Sequence, residues 1–266
     1  MRSLRDTKVV VTGAGGGIGA ALARRFAAEG AEVAVNDLDA AKAEAVAADI
    51  GGVAVPGDAS GIVPAARSAL GGRIDTFCAN AGVGGAPAGT DPADEEAAWE
   101  TAWDVNVMAH VRAARELVPA WLENGGGRFV TTASAAGLLT MVGSAPYSVS
   151  KHAAVAFAEW LSVTYRHRGI DVHAVCPQGV RTDMLAGTGV AGDLVLKPTA
   201  IEPDDVADAL MEAIGEKRFL VLPTPGTQEI YAGRAADTDQ WLSGMNRLQQ
   251  KLEQLQEQEK SEEESR

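Results

Sequence analysis

The β-branched run Lys8-Val-Val-Val-Thr12 passes straight into Gly13-Ala-Gly-Gly-Gly17-Ile-Gly19, and Ala20 to Ala28 follows with neither Gly nor Pro. A short apolar run of this kind reads as a buried strand, and the breaker-free segment behind it as a helix. Strand, glycine-rich turn and helix, in that order, bring backbone N–H groups and a helix N-terminus to a pyrophosphate. The spacing is Gly-x-x-x-Gly-x-Gly rather than the commoner Gly-x-Gly-x-x-Gly. Because such turns also occur as plain connectors, the reading depends on what the rest of the chain adds.

The alternation continues. Glu32-Val-Ala-Val-Asn-Asp37 is a second strand that ends on a carboxylate 18 residues past Gly19. A carboxylate there accepts the ribose hydroxyls of an adenosine and repels a 2′-phosphate. No Arg follows closely and the next base is Lys42, which favours NAD over NADP. Either Asp37 or Asp39 would cap the next helix, Ala40 to Ile50; we assign the cap to Asp39 and the ribose to Asp37. Further strands read at Gly52 to Asp58, Ile74 to Gly82, Arg128 to Ser134, Ile170 to Pro177 and Arg218 to Pro223. Strands alternating with helices imply an α/β protein, a doubly wound parallel sheet of about seven strands with helices on both faces. Ligands of such sheets bind beyond the carboxyl ends of the strands. Gly13, Asp37, Asp58, Asn80 and Ser134 all fall at such ends.

Thirteen residues past Ser134 comes Tyr147, and four further on Lys151. Pro146 suits a first helical turn, and Ser148 to Tyr165 has no breaker, so Tyr147 and Lys151 share one helix face. A free phenol has a pKa of about 10 and is a poor base at neutral pH. A neighbouring cation favours the phenolate; reaching neutrality needs roughly 4 kcal/mol of differential stabilisation. Lysine supplies part of this, and a positively charged oxidised nicotinamide would add to it. Tyr147 would then exchange a proton with an alcohol or a carbonyl, while Ser134 donates to the oxygen where charge develops.

The chain carries a formal charge of −13 and a pI of about 4.8. Nucleic acid and anionic membrane surfaces both require basic patches, so neither is an expected partner. Cys78 and Cys176 lie in apolar strand-like runs and read as buried thiols of a reducing compartment. The four histidines are scattered without metal spacing, so no metal is expected. With no leader and no long apolar span, the expected location is the cytoplasm. Glu95 to Glu123 reads as one helix kinked or split at Pro119, with Trp99, Trp103, Val107, Val111 and Ala114 as a core or subunit-contact stripe. Val83 to Asp94 reads as a loop, and Asp183 to Pro203 as an irregular lid beside the site. Residues 1–240 form the expected single nucleotide-binding domain. Trp241, Met245, Leu248, Leu252 and Leu255 give an amphipathic helix over 241–255, and the acidic stretch 256–266 reads as disordered.

As a set, these motifs resemble the short-chain dehydrogenase/reductase family in its single-domain branch. The matching residues are Thr12-Gly-x-x-x-Gly-Ile-Gly19, Asp58, Asn80-Ala-Gly82, Asn106, Ser134, Tyr147-x-x-x-Lys151 and Pro177-x-x-Val180-x-Thr182. The resemblance implies a Rossmann-like fold. It places Gly13, Gly17 and Gly19 about the pyrophosphate, Asp58 at the adenine and Asn80 on the central strand. Val180 and Thr182 would meet the carboxamide end of NAD, and Gly16, Ile18, Ala59, Ala81, Gly82 and Pro177 complete the cofactor set. Tyr147 is implied as acid/base and Ser134 as orienter of the substrate oxygen. Lys151 would bind the nicotinamide ribose and tune the tyrosine, and Asn106 would position a proton-relaying water. Ala79 and Gln178 depart from the family pattern, Gln178 replacing a frequent Gly. A homo-oligomer, tetramer or dimer, is implied.

The activity read from this set is NAD-dependent interconversion of a secondary alcohol and a ketone. The rival readings are an NADP-dependent ketone reductase and a non-catalytic NAD-sensing protein. Ala135, Ala136, Met141, Val142, Val83, Met184 and Leu185 are the substrate-facing candidates, and their apolar character points to an apolar substrate.

Overall fold

A computed structural model describes residues 4–84 and 96–264. Short β-branched and apolar runs form a parallel sheet whose strands are β1 (Lys8–Val11), β2 (Glu32–Val35), β3 (Val53–Ala54), β4 (Thr76–Ala79), β5 (Gly127–Thr132), β6 (Ile170–Val175) and β7 (Leu220–Val221). Their spatial order is β3-β2-β1-β4-β5-β6-β7, all parallel. The order reverses between β1 and β4, and this switch point opens a crevice at the carboxyl ends. Side chains alternate across the sheet. Val9 and Val11 face a core built with α1 (Gly17–Ala28), α2 (Ala40–Ile50) and α10 (Pro203–Glu216). Val10, Phe77 and Phe129 face a second core built with α3 (Val63–Ala69), α5 (Ala109–Glu123) and α7 (Ala145–Tyr165). Both faces are therefore covered, as a parallel sheet requires.

Four local features differ from the sequence reading. The helix expected from Glu95 to Glu123 is broken at residues 104–108, not at Pro119. α4 (Glu96–Trp103) passes into a π-helical turn, Asp104–Met108, before α5 begins, and Pro119 lies inside α5. The wider turn rotates α4 against α5, so the expected stripe is not continuous and Trp103 is 45% exposed. Glu95 and most of the Val83 to Asp94 loop lie outside the described residues. The lid expected to be irregular holds α8 (Asp183–Ala186) and α9 (Gly189–Val195); Thr182 caps α8 by accepting from Leu185 N. Two helices in the site's neighbourhood, α6 (Ala136–Leu139) and α11 (Thr227–Ala236), carry too short or too polar a pattern to be read.

The last difference is the C-terminal helix. α12 runs Thr238–Glu264, beyond the expected 241–255 and through most of the stretch expected to be disordered. Gln, Glu, Lys and Leu are all good helix formers. Bonds one turn apart, such as Gln249 Nε2 to Glu253 Oε1 (2.8 Å), support the solvated face of this helix.

Two buried histidines make the fold sensitive to acid. His110 packs against Phe129 and His173 Nδ1 donates to Arg218 O (2.7 Å), both residues 1% exposed. Burial lowers their pKa values from 6.5 to about 3 and about 4. With native values depressed, the unfolded chain binds these protons first. Stability is thus complete above about 6.5 and falls as pH drops from there toward the native values. Urea midpoints measured across that range will show the loss, and His110→Phe will make it shallower.

Candidate active site

The site begins with a clasp at the switch point. Thr12 follows β1, and its hydroxyl donates to Cys78 O (3.2 Å) while accepting from Asn80 N and Ala81 N (3.0 Å each). Asn80 Nδ2 then donates to Thr12 O (2.9 Å) and Gly13 O (3.2 Å). These bonds hold the first turn against the end of β4. Gly13 has φ +60°, and a Cβ there would stand 2.8 Å from Ala81 Cα, so only glycine fits. At Gly19 an added Cβ would meet Gly13 O at 2.2 Å, which requires the same residue for helix–turn packing.

The turn delivers the N-terminus of α1 to the crevice. Gly16 is the N-cap and no side chain caps the helix; its first turn holds no acidic residue. A Cβ on Gly16 would meet nothing within 4 Å, so the backbone there borders open space. Uncapped N–H groups beside open space suit a phosphate, and the residues present fit a dinucleotide. Asp37 stands at the neighbouring strand end. Its Oδ2 accepts from Gly15 N (2.9 Å) and its Oδ1 from Asp39 N (3.0 Å). An ionised carboxylate accepts about four bonds, so each oxygen keeps capacity for a ribose hydroxyl. Asp39 caps α2 through Ala41 N and Lys42 N (3.0 and 3.2 Å).

Ser134 follows β5. Its Oγ accepts from Ala136 N (3.0 Å), and it hydrogen-bonds the Tyr147 phenol. Lys151, 4% exposed, donates from Nζ to Thr132 O (3.1 Å) and lies 5.7 Å from the Tyr147 ring centre. A Cβ on Gly137 would stand 2.6 Å from Lys151 O; this glycine lets α6 seat on the backbone of α7. A Cβ on Gly82 would come within 3.1 Å of Asn106 Oδ1 and 3.2 Å of Lys151 Nζ, so both groups converge on that glycine. Asn106 occupies the π-helical turn and is wholly buried. It donates from Nδ2 to Val83 O and Ser150 Oγ (3.1 Å each) and accepts from Val83 N (3.0 Å), leaving one acceptor position on Oδ1.

Burial pushes the Tyr147 phenol above its ordinary value, and the Ser134 hydrogen bond offsets this in part. The lowering anticipated from Lys151 is therefore not supplied by the chain alone, because the phenol is desolvated and the ammonium is itself turned to Thr132 O. Burial brings Lys151 down from 10.5 to about 8. Cys78 and Cys176 are free, buried and pushed up by desolvation, which leaves them inert.

One cavity of about 530 Å³ joins these groups. Gly13, Gly16, Gly17, Ile18, Gly19, Asp37, Asn80, Ala81, Gly82, Ser134, Tyr147, Lys151, Pro177, Val180 and Thr182 line it. So do Ala135, Ala136, Met141, Val142, Met184 and Leu185. Asp58, Ala59, Asn106 and Val83 do not. Asp58 accepts from Ser60 N (2.8 Å), and Asn106 acts from behind through the Val83 backbone. Sequence reasoning missed Gly15, Lys42, Gln178, Leu196, Met245 and Leu248, which also border the cavity. Gln178 needs no positive φ; its backbone N donates to Thr224 Oγ1 (3.1 Å) and its Nε2 to Thr227 Oγ1 (2.9 Å). The neighbouring Gly179 takes the tight position, where a Cβ would stand 2.3 Å from Leu196 O.

A short chain dehydrogenase family model matches residues 7–190. The chain belongs to the short chain dehydrogenase family. Its glycine turn, Ser134, Tyr147 and Lys151 all lie within the matched span of this family of oxidoreductases. A relative from Streptomyces avermitilis, 1-deoxy-11-beta-hydroxypentalenate dehydrogenase, is 36% identical over 239 residues, covering 85% of this chain and 87% of the relative. A short chain dehydrogenase/reductase from Burkholderia phymatum, solved in complex with NAD, superposes with TM-score 0.81 at 25% identity, covering 90% and 96% of the two chains. A short-chain dehydrogenase from Sphingobium yanoikuyae in complex with NADPH superposes with TM-score 0.74 at 25% identity, covering 89% and 95%. No described helix is long and apolar enough to cross a membrane, and the described residues hold no cluster that would bind a metal ion.

The buried lysine makes a prediction about stability. With its native value depressed, Lys151 burdens the fold fully below about pH 8. The burden is relieved as pH rises toward the unfolded value of 10.5. The shift from 10.5 to about 8 corresponds to ~3 kcal/mol. Lys151→Met will melt higher than the wild type at neutral pH, and thermal melts at rising pH will show the two converge.

Proposed function

We propose that the protein is an NAD-dependent oxidoreductase that interconverts a secondary alcohol and a ketone, with Tyr147 as acid/base. The observation that carries this reading is the convergence of Ser134, Tyr147 and Lys151 on the cavity that the glycine turn and Asp37 enter from the other end. Bound there, the nicotinamide would supply the hydride acceptor or donor and, when oxidised, a positive charge beside the phenol. Gly13, Gly16, Gly17, Ile18 and Gly19 would hold the pyrophosphate, Asp37 the adenosine ribose, and Pro177, Val180 and Thr182 the carboxamide end. Asp58 and Ala59 would border the adenine.

In the oxidising direction Tyr147 takes the proton of the substrate hydroxyl, and in the reducing direction it returns one to the carbonyl oxygen. Ser134 donates to that same oxygen and keeps it beside the phenol. Lys151 spends one of its three N–H groups on Thr132 O and keeps two for the nicotinamide ribose and for proton relay. The spare acceptor position on Asn106 Oδ1, which faces Gly82 as Lys151 Nζ does, suits the outward end of that relay.

Asp37 supports NAD. Its carboxylate would repel a 2′-phosphate and lose ribose hydrogen bonds. Lys42 borders the same corner and favours the NADP-dependent alternative. The apolar residues Met141, Val142, Met184, Leu185 and Leu196 support an apolar substrate. Val149, Trp160 and Val163, exposed by 46, 53 and 83% on one face of α7, suit contact with a second copy of this chain. A homo-oligomer in a reducing, cytoplasmic setting accords with that face and with the two free thiols.

Two measurements test the reading. Tyr147→Phe will abolish turnover while NAD binding stays within a few-fold, because the hydroxyl acts only on the reacting oxygen; retained turnover would contradict the mechanism. By calorimetry, wild-type protein will prefer NAD to NADP by about two orders of magnitude, the factor that ~3 kcal/mol of lost pairing gives. In Asp37→Ala, with Lys42 left in place, that preference will shrink at least about tenfold; equal Kd values in the wild type would overturn the NAD reading.

A further inference from the structure

The cavity is bordered on one side by a part of the chain far downstream of Ser134 and Tyr147. Trp241, Met245, Leu248, Leu252 and Leu255 recur at spacings of four and three on α12, and the structure turns this stripe inward. Near its start, Trp241 packs on the second core, that of Val10, Phe77 and Phe129. Further along, Leu252 is 1% exposed while its neighbours Lys251 and Glu253 are exposed, and α12 packs against α9 of the lid. Between these two anchor points, Met245 and Leu248 border the cavity that Ser134 and Tyr147 share. A helix held on both sides of a segment presents that segment as a fixed wall.

The position of α12 gives this wall its role. The chain leads into it from α11, which packs on α6 directly after Ser134. On the other side lies the lid, which leaves the carboxyl end of β6 through Thr182. The wall therefore stands where the substrate lies, away from the corner where Asp37 and Lys42 would meet the adenosine. Neither side chain offers a strong hydrogen bond, so what it recognises is hydrocarbon.

Three of the six methionines of the chain, Met141, Met184 and Met245, border this one cavity. Methionine is unbranched and polarizable and adapts to irregular shapes. Leu248 is shorter and stiffer. We propose that Met245 and Leu248 are specificity-determining residues that form the outer wall of the substrate site. Leu248 limits the length of the hydrocarbon part of an apolar ketone or alcohol, and the methionines accommodate its shape. This inference rests on the oxidoreductase reading and adds to it the part of the molecule that selects substrate size.

The test is the ratio of kcat/KM for a long over a short straight-chain methyl ketone, followed by nicotinamide absorbance with NADH. Leu248→Ala opens the wall and will raise the ratio about tenfold or more; Leu248→Trp fills it and will lower the ratio by a similar factor, the scale on which hydrophobic pockets discriminate. Met245→Ala and Met245→Trp will move it in the same two directions but less, because methionine already yields. Both positions are only partly buried, so all four variants are expected to fold, with melting temperature and NAD binding as the check. A ratio that stays fixed in both Leu248 variants, or moves the same way in both, overturns the inference and leaves the oxidoreductase reading intact. Absence of turnover by the wild-type protein for every ketone, with NADH and with NADPH, overturns the oxidoreductase reading and this inference with it.

Discussion

A buried ammonium is the constraint around which this molecule is arranged. Lys151 is removed from water on the inner face of α7, with one hydrogen bond to the β5 backbone at Thr132. Desolvation of a charge is unfavourable unless partners replace the water, and the lowered pKa of Lys151 reports that incomplete replacement. The surrounding residues are shaped by the need to hold it there. Gly137 lets α6 close on the Lys151 backbone, and Gly82 leaves a gap in front of Nζ. Proteins keep such unfavourable groups where function needs them.

The second device is the π-helical turn at 104–108. An extra residue in a helical turn widens it, and such turns recur at functional sites. Here it turns Asn106 inward, where its amide clamps both backbone groups of Val83 and the Ser150 hydroxyl. The clamp ties α7 to the segment that follows β4, and so links the helix that carries Tyr147 and Lys151 to the strand end where the Thr12 clasp lies. The glycine turn and the Tyr147 helix are thereby joined by hydrogen bonds rather than by packing alone.

Much of this was legible in the sequence because it is local. Lys8 to Val11 and Glu32 to Val35 announce themselves as Val-rich runs, and Gly13 and Gly19 mark a turn whose close backbone approach allows no Cβ at either. The family set from Thr12 to Thr182 lies within the span of the family match. The features that escaped are those decided by distant contacts. No composition rule marks Asp104–Met108 as π-helical, since its register is set by where Asn106 finds Val83 and Ser150. The lid helices are short, and Gly187, Gly189 and Gly192 lie in or between them, which reads as loop until Thr182 caps the first helix. Met245 and Leu248 were visible as part of an apolar stripe, but which surface the stripe covers depends on the path through α11. Proximity of lysine to Tyr147 was legible, whereas the burial that raises the phenol and lowers the ammonium was not.

The central claim is that these residues serve hydride transfer between a substrate carbon and a nicotinamide, with Tyr147 moving the proton. It is tested most directly by following the label. Protein, NAD and secondary alcohols carrying deuterium on the carbinol carbon are incubated, and the recovered cofactor is analysed by mass spectrometry. The account predicts one deuterium in the reduced cofactor with the wild-type protein and none with Tyr147→Phe. Label that appears at the wild-type rate without the Tyr147 hydroxyl, or reduced cofactor that carries no deuterium, would contradict it.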